Sequence, residues 1–326
     1  MTDSNVIRST ITKQPKPTKF SNLESKAASK DGGCGRKISK KRRVKKVAKD
    51  MYQVVTDKVI AALEKGVKPW VCPWDRTGDY SMFPVNFKTK SVYSGINILL
   101  LWSETAEKGF SSPFWLTFKQ AQELGGNVIK GQKGTTIIYY KMWEKENEEG
   151  EKESIPMLKT FVVFNLDQIE NIDKPTFEMT SQREEKEFTV LEHVEEAIDK
   201  TGVTIVYSGA RAFYSPSADQ ITLPEKTRFH SSSDYYATAF HELVHSTGHG
   251  SRLNRDLKNS FGSKDYAFEE LVAELGAAFC CADFGVVGDV QHESYVAGWL
   301  SKLYDDKRFI FKAASLASKA HQYLVS

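Results

Sequence analysis

The chain is poor in cysteine and proline, with 4 cysteines and 10 prolines in 326 residues. No pair of cysteines has CxxC spacing, which argues against a disulfide framework, a zinc knuckle and a thioredoxin-like site. The longest apolar run, 96–102, is interrupted by Asn97 and falls short of the roughly 18 residues that span a bilayer. The N-terminus lacks the apolar segment of a secretory signal, so we expect a cytoplasmic protein that acts without a membrane. The cysteines are Cys34, Cys72, Cys280 and Cys281.

Charge is distributed unevenly along the chain. The net charge is only +3, but residues 1–50 carry +11 and residues 142–200 carry −10. Residues 1–46 have too few apolar side chains to form a core, which predicts a disordered basic tail. The basic run 36–46 fits an arm that binds phosphates, while a solubilising tail is the alternative.

The remaining chain predicts an α+β fold in two domains, since its length suits about two domains. We expect the first at 47–172, a linker around Pro175 at 173–186, and the second at 187–326. Apolar periodicity and turn residues predict the secondary structure. Helices are expected at 47–66, 93–107, 119–124, 188–200, 231–247, 266–284, 294–304 and 313–324. Strands are expected at 114–118, 135–142, 158–164, 203–207, 212–214 and 220–223, with an acidic hairpin loop at 144–153.

The sharpest chemical signal is His-Glu-Leu-Val-His at 241–245. On a helix, His241 and His245 lie on one face, so both imidazoles can bind one Zn²⁺. Glu242 lies beside them and can act as the general base toward a metal-activated water. A catalytic zinc needs a third protein ligand, because three ligands and one open position are usual.

The next long helix offers that third ligand. Glu270 and Glu274 are one turn apart, so one can ligate zinc while the other accepts a hydrogen bond from a ligating histidine. This arrangement resembles the gluzincin pattern, and the resemblance implies that Glu270 is the ligand and Glu274 the supporting carboxylate. Glu269 is the weaker choice, since it points about 100° away around the helix.

Other interpretations of this motif stay open. His249 is a competing ligand, but a metzincin would place its histidine where this chain has Ser251. The motif could also belong to a helix with two solvated or core histidines, or to a zincin scaffold without activity. Cys280 and Cys281 are expected to be small buried residues.

Two further expectations concern a peptide substrate. Strand 220–223 is expected to pair with an extended peptide as an edge strand. The group that would stabilise the oxyanion is left open among three residues, which are Tyr214, His292 and Tyr295.

The first domain interleaves aromatic and basic residues, as single-stranded nucleic acid binding requires. Rings can stack on bases and cations can follow the phosphates, although each ring could instead belong to the core. Gly131 and Gly134 would let backbone amides approach a phosphate. The candidate binding residues are Lys68, Trp70, Trp74, Lys88, Lys90, Tyr93, Lys130, Lys133 and Tyr140.

Residues 52–173 resemble the N-terminal domain of the ArdC family of antirestriction proteins. The resemblance rests on the segments 68–70, 93–97, 115–121, 125–126, 130–134 and 163–168, and it adds Asn97 to the candidate DNA-binding residues. That family couples a domain that binds single-stranded DNA to a zincin-like metallopeptidase domain, which 241–249 and 269–274 match. The resemblance covers about 48–326 and leaves the basic tail outside.

The resemblance implies a protein of a mobile element that binds single-stranded DNA during conjugation and protects it from restriction. It also implies one divalent metal ion, which we expect to be Zn²⁺. Two alternatives remain. One is a regulatory protease that cleaves a bacterial repressor or a restriction subunit, and the other is a pure DNA-binding module with a structural metal.

Overall fold

The described part of the chain comprises most of 50–326. The computed structural model describes residues 50–71, 82–146, 152–175, 188–255, 257, 264–287 and 296–326. The predicted basic tail, most of the predicted linker and the residues Trp74, His292 and Tyr295 lie outside these ranges.

Helix starts follow local capping chemistry. The Asp50 side chain accepts a hydrogen bond from the Tyr52 amide, and the Ser231 side chain accepts one from the Asp234 amide. Thr117 forms a capping box with Gln120, which starts a helix at Phe118 and removes that residue from the predicted strand. The helices are α1 (Met51–Glu64), α2 (Ile96–Lys108), α3 (Phe118–Glu123), α4 (Glu192–Lys200), α5 (Ser232–Thr247), α6 (Lys264–Phe284), α7 (Val296–Asp305) and α8 (Phe309–Leu324).

Three sheets complete the described structure. The largest has the order β1-β2-β5-β4, a second pairs β3 with β6, and a third has the order β7-β9-β8. The strands are β1 (Val85–Asn86), β2 (Phe114–Thr117), β3 (Asn127–Val128), β4 (Thr135–Glu146), β5 (Lys152–Asn165), β6 (Ile169–Glu170), β7 (Thr204–Tyr207), β8 (Phe213–Ser215) and β9 (Gln220–Leu223).

The β4–β5 hairpin is longer than the sequence predicts. Its ladder continues to Glu146 opposite Lys152, with Lys145 opposite Glu153, so half of the expected loop at 144–153 is strand.

The prediction that strand 220–223 is an edge is wrong. β9 lies in the middle of its sheet, parallel to β7 and antiparallel to β8. Its Ile221 and Leu223 side chains are fully buried, as a central strand requires. β7 and β8 are the two edge strands, because each pairs only with β9 among the described strands.

One hydrophobic core extends across both halves of the described chain. Trp70 packs edge-on against Trp299, with ring centroids 5.6 Å apart. Trp102 makes a similar contact with Phe279 at 6.1 Å. Helix α1 packs against α7 and α2 against α8, and residues 49–326 cluster as one unit. The first half is therefore fixed directly to the helices of the second.

Helix α6 runs through this core. It carries Cys280 and Cys281, which are both buried. Among the described helices, none is long and apolar enough to cross a membrane.

Candidate metal centre

Helices α5 and α6 bring the candidate ligands together. The apolar face of α5 packs into the core through Leu243 and Val244, which are almost completely buried. Gly276 of α6 lies against Val244, and a Cβ at this glycine would come within 2.7 Å of a Val244 methyl. The missing side chain therefore permits the close approach that places the histidines of α5 opposite the glutamates of α6.

His241, His245 and Glu270 form a cluster whose ligand atoms all lie within 4.8 Å of one another. The two histidine Nε2 atoms are 3.1 Å apart. Glu270 places Oε2 at 3.5 Å from His241 Nε2 and Oε1 at 3.6 Å from His245 Nε2. Two imidazole nitrogens and one carboxylate oxygen match the donor set of a catalytic zinc site.

His245 is supported by a second carboxylate. Its Nδ1 lies 3.3 Å from Glu269 Oε1. Arg255 binds Glu269 in a fork, with Nε at 3.0 Å from Oε2 and Nη2 at 2.7 Å from Oε1. The same guanidinium donates to Thr247 Oγ1 and to the Val244 carbonyl. Arg255 thus ties Glu269 to the end of α5.

His241 faces another carboxylate, Glu274. His241 Nδ1 and Glu274 Oε2 are 4.0 Å apart. The other oxygen, Oε1, accepts hydrogen bonds from Lys68 Nζ at 3.2 Å and from the Trp70 indole at 3.4 Å. Glu274 is therefore held by residues from the segment that follows α1.

Burial and charge set the protonation of the cluster. Burial opposes a charge on His245, but the hydrogen bond to Glu269 and the nearby carboxylates raise its pKa to about 9. Burial also opposes the charge of Glu270, yet its hydrogen bond to His241 and the two histidines lower its pKa to about 2. Burial raises the pKa of Glu274, with Lys68 acting in the opposite direction. The cluster thus holds a proton where a divalent cation would bind, and metal binding would release it.

The residues fit a metal ion. Metal-binding histidines usually direct their second ring nitrogen to a carboxylate, and both histidines face one here. Glu274 Oε2 is buried and has no hydrogen-bond partner among the described residues, although it faces the His241 ring. Such an oxygen is available to accept the Nδ1 proton once His241 Nε2 binds a metal.

The cluster opens into a cleft of about 220 Å³. Glu242 lines this cleft together with both histidines, so it can reach a water there. β8 contributes Phe213 and Tyr214 to the wall. The Tyr214 hydroxyl donates to Asp219 at 2.7 Å, and burial together with Asp219 raises its pKa to about 12. The tyrosine proton is thus directed at Asp219 in this structure.

His249 does not join the cluster. It lies just beyond the end of α5, where its Nδ1 is 2.8 Å from Ser251 Oγ and 3.9 Å from Asp219 Oδ2. His249, the competing ligand, therefore contacts Ser251 and Asp219 and lies apart from the two motif histidines.

Several candidate DNA-binding residues have internal partners. Trp70 is only 2% exposed, so its ring is a core element without a free face for a base. Lys68 is bound to Glu274, and Lys88 forms an ion pair with Glu123. Asn97 makes two hydrogen bonds to the Ile138 backbone. Each of these four residues therefore has a structural role in the fold.

Other candidates remain nearer the surface. Lys90 lies over the Phe87 ring at 4.1 Å, and Tyr93 is half-buried with its hydroxyl bonded to Asn86. Lys130 and Lys133 are exposed in the turn before β4. Of Tyr140 the structure describes only the backbone, which pairs with Leu158.

Sequence reasoning missed three contributors to the site. Glu269 was considered only as a ligand, whereas it contacts the second nitrogen of His245. Arg255 and Tyr266 were not singled out, yet Arg255 binds Glu269 and Tyr266 donates a hydrogen bond to Glu270. The signal that could have pointed to the buried pair of Arg255 and Glu269 is the position of the arginine between α5 and α6, the two helices that carry the candidate ligands.

Comparison with known proteins gives two adjacent family matches. Residues 49–164 match the N-terminal domain of the anti-restriction factor ArdC, and residues 192–316 match a zincin-like metallopeptidase family. A metal-free crystal structure of the antirestriction protein ArdC from plasmid R388 superposes with a TM-score of 0.73 at 41% identity, covering 85% of this chain and 97% of that one. The chain belongs to the ArdC family of antirestriction proteins.

Other relatives of the chain differ in length. The protein y4eC of Sinorhizobium fredii is 33% identical over 84% of this chain and 91% of its own length. A DNA primase TraC of Escherichia coli is 38% identical over 85% of this chain, but the chain spans only 20% of that protein. An Mn(II)-bound structure of R388 ArdC matches with a TM-score of 0.71 at 40% identity, covering 85% of this chain and 97% of that one. The zincin-like fold implies a bound metal ion.

Proposed function

We propose that this ArdC-family protein binds single-stranded DNA and carries a zinc-dependent peptidase site. The observation that carries the peptidase half is the cluster of His241, His245 and Glu270 at the floor of a cleft that Glu242 also lines. A zinc ion in such a site would polarise the scissile carbonyl and lower the pKa of its bound water to about 7. The Mn(II)-bound ArdC structure makes manganese the alternative metal.

The chain's own residues supply the proton transfer. Glu242 accepts the proton of the attacking water and delivers it to the leaving amine, as general base and then general acid. Tyr266, through its hydrogen bond to Glu270, holds the third ligand in orientation. An extended peptide would pair with β8, an edge among the described strands that lines the cleft, rather than with the central β9.

Cleavage assays with a matched variant test the peptidase half. Wild type and Glu242→Gln are each loaded with Zn²⁺ and incubated with restriction subunits and repressors from the same host. We expect fragments from wild type alone, while both proteins retain equal zinc, because the amide cannot accept the proton. Equal cleavage by Glu242→Gln, or protection of DNA with no cleavage by either protein, would favour a structural metal in a DNA-binding module.

For DNA, the β4–β5 hairpin offers a stacking surface that the sequence did not single out. Tyr139 and Phe161 are 49% and 45% exposed, and their ring centroids are 6.2 Å apart. Lys159 is exposed and in register with Tyr139, so a cation lies on the same face. Rings for bases and cations for phosphates are what sequence-tolerant binding of a single strand requires.

The basic turn before β4 extends this surface. Lys133 precedes Tyr139 by six residues, or roughly 20 Å of strand. A single strand of a few nucleotides could follow β4 from Lys130 and Lys133 to the two rings. The DNA primase name of two relatives supports a DNA partner for this part of the chain.

The opposite face of the hairpin provides the control. Phe118 is 51% exposed and packs against Phe164, whose position in β5 faces away from Phe161. We expect Tyr139→Ala or Phe161→Ala in the full chain to weaken oligothymidine binding by about 1–3 kcal/mol, and Phe118→Ala to have little effect. The opposite ranking would move the DNA to the other face, and an affinity that does not depend on salt would contradict phosphate binding altogether.

A further inference from the structure

We propose that Lys68 and Trp70 are positioning residues of the metal centre, which hold His241 in its ligating orientation through Glu274. The sequence features of these two residues point to DNA, but their contacts point to the metal site. The inference rests on the proposed metal site and adds residues from the ArdC-like N-terminal half to it.

The geometry divides the two oxygens of Glu274. Oε1 accepts from Lys68 Nζ at 3.2 Å and from the Trp70 indole at 3.4 Å. Oε2 lies 4.0 Å from His241 Nδ1. A carboxylate is planar, so two donors that fix Oε1 also fix the direction in which Oε2 faces. The N-terminal segment therefore sets the acceptor that His241 meets.

Burial makes this contact specific. The side chains of Lys68 and Glu274 are only 12% and 3% exposed, which places the ion pair away from solvent. Trp70 is 2% exposed, and its ring packs against Trp299 of α7, so the indole nitrogen has a fixed position. A buried lysine paired in this way is committed to the protein interior and cannot also bind a phosphate.

The consequence is that the zincin-like helices do not complete the metal site alone. The donors to Glu274 come from residues 206 and 204 positions earlier in the chain. Carboxylates behind a metal-binding histidine typically change metal affinity by about 10–100-fold when they are altered. The way in which the segment 67–71 packs against α6 should therefore set part of the metal affinity.

Zinc affinity of the full-length protein tests this inference. Zn²⁺ is titrated against a chromophoric chelator for wild type, Lys68→Met, Lys68→Arg and Trp70→Phe, with the fold of each checked by circular dichroism. We expect Lys68→Met to weaken zinc binding about tenfold, Trp70→Phe to weaken it less, and Lys68→Arg to retain most of the affinity. Lys65→Met is the control, because it removes the same charge from an exposed position nearby.

A second background isolates the route through Glu274. If Lys68 acts by orienting this carboxylate, Lys68→Met should have no additional effect on zinc affinity in a Glu274→Gln protein. Equal losses from Lys68→Met and Lys65→Met, or an undiminished loss in the Glu274→Gln background, would overturn the inference. If Lys68→Met does not fold, Trp70→Phe decides, and unchanged zinc affinity in it overturns the inference.

The two proposals fail in different ways. Wild type that binds no Zn²⁺ overturns the proposed metal site and the positioning role with it. Wild type that binds Zn²⁺ tightly while the folded Lys68→Met protein binds it equally well overturns the positioning role alone.

Discussion

The two histidines of the metal centre face carboxylates that are held in contrasting ways. His245 faces Glu269, which Arg255 binds from a position only 14 residues earlier in the chain. His241 faces Glu274, which is held from more than 200 residues away. We call these groups the His245 arm, with Glu269 and Arg255, and the His241 arm, with Glu274, Lys68 and Trp70.

The contrast teaches how the two family regions share one site. The His245 arm lies wholly within the region that matches a zincin-like metallopeptidase. The His241 arm begins in the ArdC N-terminal region, at Lys68 and Trp70. One arm can therefore form from neighbouring helices and their turn, whereas the other requires the two halves of the chain to pack together.

The largest loss of bound zinc should come from replacing either histidine, and the loss should be the same for both arms. His241→Ala and His245→Ala each remove one of three protein ligands, so we expect bound zinc to fall below detection after dialysis. Elemental analysis of the purified proteins measures this. Glu242→Gln is the control and should keep its zinc, since Glu242 is no ligand in the proposed site.

The carboxylates of α6 sharpen the same measurement. Glu270→Ala should lower zinc content more than Glu269→Ala, because Glu270 approaches both Nε2 atoms while Glu269 approaches only His245 Nδ1. Full zinc occupancy in either histidine variant would refute the site. The reverse order for the two glutamates would mean that the wrong face of α6 carries the ligand.

The arms should differ more in stability. Arg255 is 6% exposed and makes hydrogen bonds to Glu269, Thr247 and Val244, so Arg255→Met removes the guanidinium from the buried Glu269 carboxylate. We expect Arg255→Met to lower the free energy of unfolding by about 3–5 kcal/mol in urea titrations of the metal-free protein. Lys68→Met should cost less, because burial already raises the pKa of Glu274 and a proton can replace the lost charge. Equal losses would mean that the two arms are energetically alike.

Local chemistry made much of this architecture predictable. The i, i+4 spacing of His241 and His245 and of Glu270 and Glu274 depends only on helical geometry, and the structure brings these four side chains together. The capping residue Ser231 likewise indicated where α5 begins. Family resemblance added the order of the two halves, which the comparisons confirm.

Long-range packing explains the errors. Strand order is a tertiary property, so the pattern of 220–223 could not show that β9 lies between β7 and β8. The segment around Trp70 has the composition of a stacking surface, and only its packing against Trp299 reveals a core residue. The angle around a helix made Glu269 the weaker choice of ligand, but it could not show that Glu269 contacts the Nδ1 atom of His245.

The smallest effect, and the last means of separating the arms, concerns pH. In the metal-free protein the pKa of His245 is raised to about 9, above its ordinary value of 6.5, against the opposing effect of burial. A raised pKa means that protonation stabilises the fold. This contribution is complete below pH 6.5 and is lost as pH rises through 9. We therefore expect the free energy of unfolding to fall by a few kcal/mol across this range, since one pKa unit corresponds to about 1.4 kcal/mol.

Variants of the two carboxylates assign this pH dependence to one arm. Glu269→Gln removes the hydrogen bond that most strongly raises the pKa of His245, so the decline between pH 6.5 and 9 should become shallower. Glu274→Gln should leave the slope nearly unchanged, because Glu274 faces His241 instead. Urea titrations of the metal-free proteins at several pH values measure both slopes. A flat profile in wild type, or equal flattening by the two variants, would show that the charge on His245 is shared across the cluster, and the separation into two arms would then fail.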